Sequence, residues 1–468
     1  MANFKTSHAL MAALITPGAL AAVTACGTGK TSHPKPNVIF IMADDMGYEC
    51  SGVYGGTYDT PNIDAMAERG IMFTSAYSQP LSTPSRVQVM TGRYNYKNYC
   101  SFGFLNHDQH TFGNLARMAG YHTAIVGKWQ LGNNSALPDH FGFDNYCLWQ
   151  LNYTRTANAE RYASALIEAD GKILPKEELS YGPDIFAEYI EQYIASHKDE
   201  PFFLYYPMAL VHDPFVSTPD SEDWLTNPAG RHKSDTCYFD DMVAYCDKNL
   251  GRVVDALKKH GLYDNTLIIF TGDNGTNKSI STSMKDGSVI QGGKGMTTDA
   301  GTHVAMLATF GDRQCTPGVC DDLIDFTDVM PTIAEAMGIN IPAEWDTDGV
   351  SFLPQIEGRK GKTRKWILCH YDSFFQGAEK PNDNARRYMR DHRYKLYSTG
   401  EFYDVKSDVL EENNIDPGQG SREAEKARKA LQRELDKLPA WKVGDIPVKQ
   451  VLYPEFPIRK MRWTEKDK

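Results

Sequence analysis

The segment SQPLSTPSRVQVMTGRY, Ser78 to Tyr94, sets a hydroxyl at Ser82 and a guanidinium at Arg86 on either side of Pro84. Proline at the start of a helical pattern places Ser82 just before a helix amino terminus, where unpaired N–H groups and the helix dipole attract anions. Two roles fit that position. Ser82 either caps the helix or is a nucleophile held on the dipole, with Arg86 one turn on to clamp a tetrahedral oxyanion. Hard oxygen donors stand elsewhere as Asp44-Asp45 and as Asp273-Asn274 within TGDNG. With no nitrogen or sulfur among them, the four suit calcium or magnesium, although either pair alone equally suits a turn or a helix cap. Lys128 and His212 each follow a further apolar run. A histidine so placed is either a hydrogen-bonded structural residue or a general acid titrating near neutrality.

These groups need a frame, and the apolar runs before them supply it. Asn37 to Met42, His122 to Gly127, Pro201 to Leu210 and Thr266 to Gly272 are β-rich and do not alternate, as expected of strands covered on both faces. Helical patterns separate them. In DDMVAYCDKNLGRVVDALKKHGL the residues Met242, Val243, Cys246, Leu250, Val253, Val254 and Leu257 share one face, and His260-Gly261 supplies a stop. Strands alternating with helices predict an α/β sandwich with a largely parallel sheet. Ligands of such sheets bind outside the strands' carboxyl ends, so the polar groups are expected to share one crevice. At LPQIEGRKGKTRKW the texture turns to glycine and cations, which marks a boundary. Beyond it WILCHYD, YMRDHRYKLYSTG and EFYDV read as short antiparallel strands, followed by a helix with Ala424, Ala427, Leu431 and Leu435 inward. A smaller α+β unit is expected there.

A chain of 468 residues with 41% hydrophobic content can bury a large core. Its first residues carry one early cation, Lys5, then an apolar run and small residues, the pattern of a secretory signal. VTAC resembles a bacterial lipobox, in which Cys26 is lipidated; an ordinary signal cleaved nearby is the other reading. Both predict export. Loss of Lys5 with the leader takes the formal charge from −11 to −12, which argues against a nucleic-acid partner. The expected layout is a signal over 1–25, a linker over 26–36, a catalytic domain over 37–357 and a carboxyl-terminal subdomain over 358–468. Cys315 and Cys320 flank a Pro-Gly turn, but sequence does not give their pairing.

PLSTPSRVQVMTG resembles the signature of the type I sulfatases, a Cys/Ser-x-Pro-Ser/Ala-Arg core followed by apolar residues and Thr-Gly. IMADDMG, GYHTAIVGKW, VHDPF, TGDNG and GGKG stand in that family's order. The resemblance covers Asn37 to about Val405 and implies an alkaline-phosphatase-like sandwich. It implies that Ser82 is oxidised to formylglycine (3-oxoalanine), whose hydrate attacks sulfur and later collapses to release sulfate. It also implies a Ca2+ ion held by Asp44, Asp45, residue 82, Asp273 and Asn274. Arg86, Lys128 and Lys294 would neutralise the transition state, and His212 would protonate the leaving oxygen. Two positions depart from the pattern. Gln130 stands where the family has a histidine thought to aid sulfate release, and glutamine cannot accept a proton. His303 stands where arginine is common and is a candidate compensating base.

Serine at position 82 resembles the subgroup matured by a radical enzyme that works without oxygen, which points to an anaerobic or facultative bacterium. The expected substrate is a sulfated carbohydrate of glycosaminoglycan, mucin or algal type. The expected location is the periplasm or cell surface, with the membrane met only through a lipid anchor. Substrate contacts are expected from loops, with Arg155, His303, His370 and Arg390 as candidates by residue type. Two other readings are a phosphoester hydrolase of the same fold with two metals, and a non-catalytic sulfated-glycan binder.

Overall fold

A computed structural model describes residues 35–151, 161–311, 315–372 and 385–452. Cys26 with the leader, and Arg155, lie outside the described residues. One large sheet is built from β1 (Asn37–Ala43), β2 (Ile71–Tyr77), β3 (His122–Lys128), β4 (Asn145–Trp149), β5 (Ile167–Ala169), β6 (Lys172–Ile173), β7 (Phe202–Pro207) and β8 (Thr266–Gly272). A separate hairpin, β9 (Ser281–Ser283) and β10 (Val289–Gln291), follows before β11 (Met306–Phe310) and β12 (Gly318–Asp325) complete the large sheet. Its order is β12-β2-β11-β8-β1-β7-β3-β4-β5-β6. The central strands β8, β1, β7, β3 and β4 are mutually parallel, and antiparallel pairs lie toward the edges.

The unbroken apolar runs are explained by burial on both faces. Ile39, Ile41 and Ala43 enter one core layer, while Val38, Phe40 and Met42 enter the other, all at most 1% exposed. Each such large side chain contributes roughly 1.5–3 kcal/mol relative to exposure. The helix Phe239–Lys259 covers the first layer with Met242, Val243, Cys246, Leu250, Val253 and Leu257 buried, as its spacing predicts. Register places Ala43 beside Gly272 and Met42 beside Pro207. Asp44 and Asp273 therefore leave adjacent strands at the same level.

A second sheet is wholly antiparallel: β13 (Ile367–Tyr371), β14 (Arg386–Arg390), β15 (Tyr394–Tyr397) and β16 (Phe402–Asp404), in that order. The helix Arg422–Leu435 packs on it through Ala424, Leu431 and Leu435. Pro201 to Leu210 is strand only over Phe202–Pro207, after which the backbone leaves the sheet toward His212. Cys315 and Cys320 are both free thiols. Among the described residues no helix is long and apolar enough to cross a membrane.

Candidate active site

The helix Ser82–Thr91 is entirely buried and begins at Ser82 itself, with Leu81 as its N-cap. Pro84 thus falls within the first turn, where its missing N–H is harmless, not at the first position. No side chain caps this helix. The Ser82 hydroxyl is occupied otherwise: its Oγ accepts from Arg86 Nε at 3.1 Å and from Lys128 Nζ at 2.9 Å. Arg86 is anchored through Nη1 to the carbonyl of Trp129, while its buried Nη2 has no hydrogen-bond partner. Lys128, at the end of β3, also donates to both oxygens of Asp44 at 2.7 Å. Burial depresses the Lys128 ammonium to about 8, against the pull of Asp44.

Asp44 is bracketed by a second cation that the sequence did not single out. Arg161 Nη1 donates to Asp44 Oδ2 at 2.6 Å, and its guanidinium lies over the Trp149 ring at 4.4 Å. Burial acts to raise the Asp44 carboxyl, but Lys128, His212, Arg161 and Lys294 together hold it well below the usual carboxylate range. Asp45 takes a left-handed backbone, φ 60°, which aspartate tolerates. Its Oδ1 accepts from Asn274 Nδ2 at 2.9 Å, and its Oδ2 takes Lys294 Nζ. Its N–H donates to Asp273 Oδ1 at 2.9 Å. Asp273 is raised to about 7 by burial and by the neighbouring Asp44 charge.

His212 sits opposite, with Nε2 2.8 Å from Lys294 Nζ and 3.6 Å from Asp45 Oδ2. Its carbonyl accepts from the Tyr162 hydroxyl at 2.5 Å. Burial, then Arg161 and Lys294, push the imidazole well below its ordinary range. The cluster therefore holds four cations, Arg86, Lys128, Arg161 and Lys294, and four carboxylates, the buried Asp44, Asp45 and Asp273 and the partly exposed Asp213, 3.9 Å from Lys294. An unused guanidinium N–H beside a hydroxyl is a place for an anion. The donor set also fits a hard cation: Asp44, Asp45 and His212 present ligand atoms within 4.8 Å of one another, and the buried Asn274 Oδ1 has no partner.

Other expected residues meet partners outside the set above. Gln130, φ 47°, donates its side-chain amide to Gln150 Oε1 at 2.5 Å, and Gln150 too is left-handed, φ 57°. His303 stacks between Tyr48 and Tyr77, with ring centroids at 4.1 and 5.0 Å, and bonds the Thr74 carbonyl at 3.0 Å. Burial depresses it to about 4. His370 is buried on β13, where Nδ1 accepts from Arg387 Nε at 3.1 Å; burial and that arginine lower it to about 3. Arg390 pairs with Asp299 at 2.5 Å. That pair belongs to a clamp by which the second sheet grips the loop after Lys294. Lys395 on β15 donates to the Thr297 carbonyl, and the Tyr397 and Thr297 hydroxyls are 2.9 Å apart.

Comparison with known proteins gives the family. The family described as Sulfatase matches residues 36–339, and the carboxyl-terminal region of N-sulphoglucosamine sulphohydrolase matches residues 293–440. Arylsulfatase A of Bos taurus is 29% identical over 388 residues, covering 75% of this chain and 73% of its own. N-acetylgalactosamine-6-sulfatase of Canis lupus familiaris is 27% identical over 373 residues, covering 72% and 69%. Among solved structures, Ps i-CgsB in complex with k-i-k-neocarrahexaose superposes with a TM-score of 0.70 at 25% identity, covering 86% of this chain and 92% of that one. With a family match over most of the large sheet and its crevice, the chain belongs to the sulfatase family and is a sulfuric ester hydrolase.

Proposed function

We propose that this sulfatase is exported and desulfates carbohydrate, using formylglycine made from Ser82 and a calcium ion held by Asp44, Asp45, Asp273 and Asn274. The observation that carries the reading is the setting of Ser82. Its buried Oγ is held by Arg86 and Lys128 together, beside an Arg86 Nη2 that has no other partner.

Each group's part follows from its position. Arg86 and Lys128 approach residue 82 from two sides and bind sulfate oxygens as charge develops on them. Asp44 fixes Lys128 there, and Arg161 fixes Asp44. Lys294 Nζ and His212 Nε2, 2.8 Å apart, would together supply the proton that a departing alcohol takes. When bound, calcium would supply charge that acidifies a hydroxyl and holds a sulfate oxygen. Formylglycine hydrate would supply a second hydroxyl through which sulfate is expelled without water attacking sulfur. Support for a carbohydrate comes from the neocarrahexaose bound to Ps i-CgsB and from the N-sulphoglucosamine sulphohydrolase match. Maturation would need a serine-type radical enzyme, and export the leader over 1–25 that precedes Cys26.

The test is mass spectrometry of the tryptic peptide Gly70 to Arg86 after expression with a serine-type maturation enzyme. A peptide lighter by two hydrogens, together with sulfate release that EGTA abolishes and calcium restores, is the expected result. Unmodified serine in a chain that hydrolyses phosphoesters would overturn it.

A further inference from the structure

A buried acid stands just beyond Asp44-Asp45 and has no part in the chemistry above. Glu49 is 0% exposed, and among the described residues no cation pairs with it. Its Oε1 accepts from the Thr276 hydroxyl at 2.5 Å, while its Oε2 is buried without a partner. Burial raises the carboxyl above its ordinary range, which favours the neutral acid. A Cβ on Gly47 would stand 2.2 Å from Oε2, so the carboxyl lies directly against the backbone of the loop that carries Asp45. A buried acid so placed needs a reason, because an unpaired polar group in a core is costly.

Thr276 supplies the reason. It is 0% exposed and follows Asp273-Asn274 in TGDNGT. A threonine hydroxyl has one proton to give and two lone pairs to fill, and here all three are engaged. The proton goes to Glu49, one lone pair takes the Gly47 N–H at 3.0 Å, and the other meets the Cys50 thiol, whose Sγ is 3.2 Å away. The Thr276 carbonyl in turn accepts the Lys294 N–H at 2.9 Å. Thr276 therefore joins three segments: the one after β1 with Asp44 and Asp45, the one after β8 with Asp273 and Asn274, and the one that carries Lys294. Two further links between the first two segments are Asp45 N–H to Asp273 Oδ1 and Asn274 Nδ2 to Asp45 Oδ1. Both use carboxylate oxygens that belong to the cation site itself. The bond from Gly47 to Thr276 uses none of them, so it can hold the segments in register whatever those oxygens bind.

We propose that Thr276 and Glu49 are positioning residues of the cation site and of Lys294: Glu49 takes the Thr276 proton, which turns a lone pair to the Gly47 N–H, and that bond sets the spacing of the two acidic pairs. The proposal rests on the calcium reading and adds to it two residues that act through the loops bearing the donors.

The test is calorimetric titration of the full chain, freed of metal with EGTA, with calcium chloride. Thr276→Val removes the hydroxyl at nearly constant shape, and Glu49→Met removes the acid at similar volume. Each is expected to weaken calcium binding by on the order of 10- to 100-fold, as loss of a group that orients metal ligands does. Thr276→Ser keeps the hydroxyl and Glu49→Gln keeps a neutral acceptor, so both should bind calcium as the wild type does. Because the two residues act through one bond, the double variant Thr276→Val with Glu49→Met should lose little more than either single. Melting temperature is the folding control, since a contact of merely structural value would lower it and leave the calcium affinity of the folded chain unchanged. Should Thr276→Val not fold, Glu49→Met against Glu49→Gln makes the same comparison. Unchanged calcium affinity in the disruptive variants, equal losses in Thr276→Val and Thr276→Ser, or a double variant whose loss is the product of the two singles overturns the proposal. A wild-type chain that takes up no calcium sinks the calcium reading instead, and the hold on Lys294 is then decided by kcat of the matured variants on p-nitrophenyl sulfate. A loss in Thr276→Val that Thr276→Ser restores upholds it; equal kcat in all variants overturns it.

Discussion

Lys395→Met is the perturbation that most directly tests how the second sheet serves the catalytic loop. Lys395 is 0% exposed, bonds Glu411 Oε1 at 2.5 Å and the Thr297 carbonyl, and lies 3.9 Å from the Tyr388 ring centroid. Removing the ammonium leaves the Glu411 carboxylate buried with only the Tyr397 hydroxyl, and breaking such a pair costs roughly 3–5 kcal/mol. Replacing both partners, as Lys395→Met with Glu411→Leu, removes the uncompensated charge and should recover most of that loss. At about 2 °C or less per kcal/mol for a chain of this size, the single variant should melt some 5–8 °C lower. Activity divides the effects further. Thr297 is three residues from Lys294, and in both variants its carbonyl loses the Lys395 ammonium and keeps only the neighbouring contact of its hydroxyl with Tyr397. The double variant should therefore regain stability yet keep a kcat for p-nitrophenyl sulfate roughly tenfold down, as expected of a displaced charge. The assay is calorimetric melting beside steady-state kinetics of matured protein. A single variant costing under about 1 kcal/mol, as a solvent-screened pair would, refutes the energetic argument. A double variant with full kcat refutes the clamp.

His212→Gln should slow hydrolysis of a sugar sulfate by roughly 10²–10³ while slowing p-nitrophenyl sulfate by no more than about tenfold, because nitrophenolate departs without a proton. Equal losses on both substrates would remove His212 from proton donation. Acid stability tests the two buried imidazoles. His303 and His370 titrate at about 4 and 3 when folded but near 6.5 when unfolded. Below pH 6.5 the unfolded chain binds protons that the folded chain refuses, so their contribution is intact above 6.5 and is lost as pH falls toward 4. Each should cost about 2 kcal/mol by pH 5. Urea unfolding of His370→Gln between pH 7 and 5 should show a shallower slope by that amount. An unchanged slope would mean that the ring is not held neutral. The slope is the readout, since loss of the Arg387 contact lowers stability at every pH.

The four runs legible as strands, β1, β3, β7 and β8, are neighbours in the middle of the sheet. There, burial on both faces removes the alternation that would confuse strand with helix. Strands away from that centre gave weaker signals for physical reasons. β2 is IMFTSAY with three half-buried positions, β11 is MLATF with residues equally at home in a helix, and β5 and β6 have three and two residues. Motif position located the residues at strand ends well, since a strand end fixes where its next side chain emerges. Asp44, Lys128 and Asp273 all came together in this way.

Residues that no apolar run leads to carried no such signal. Arg161 follows no apolar run in the sequence, and nothing in ANAERYA distinguishes it from a surface arginine. Its role is visible only through Asp44 and Trp149. Gln130 shows the converse limit. Its place in GKWQLG is that of a histidine expected to aid sulfate release, yet its backbone is left-handed and its amide meets Gln150, twenty residues on. Spacing along the chain determines which residues can come near one another. The backbone angle at a single residue then determines which partner its side chain meets, and a motif read as letters does not contain that angle.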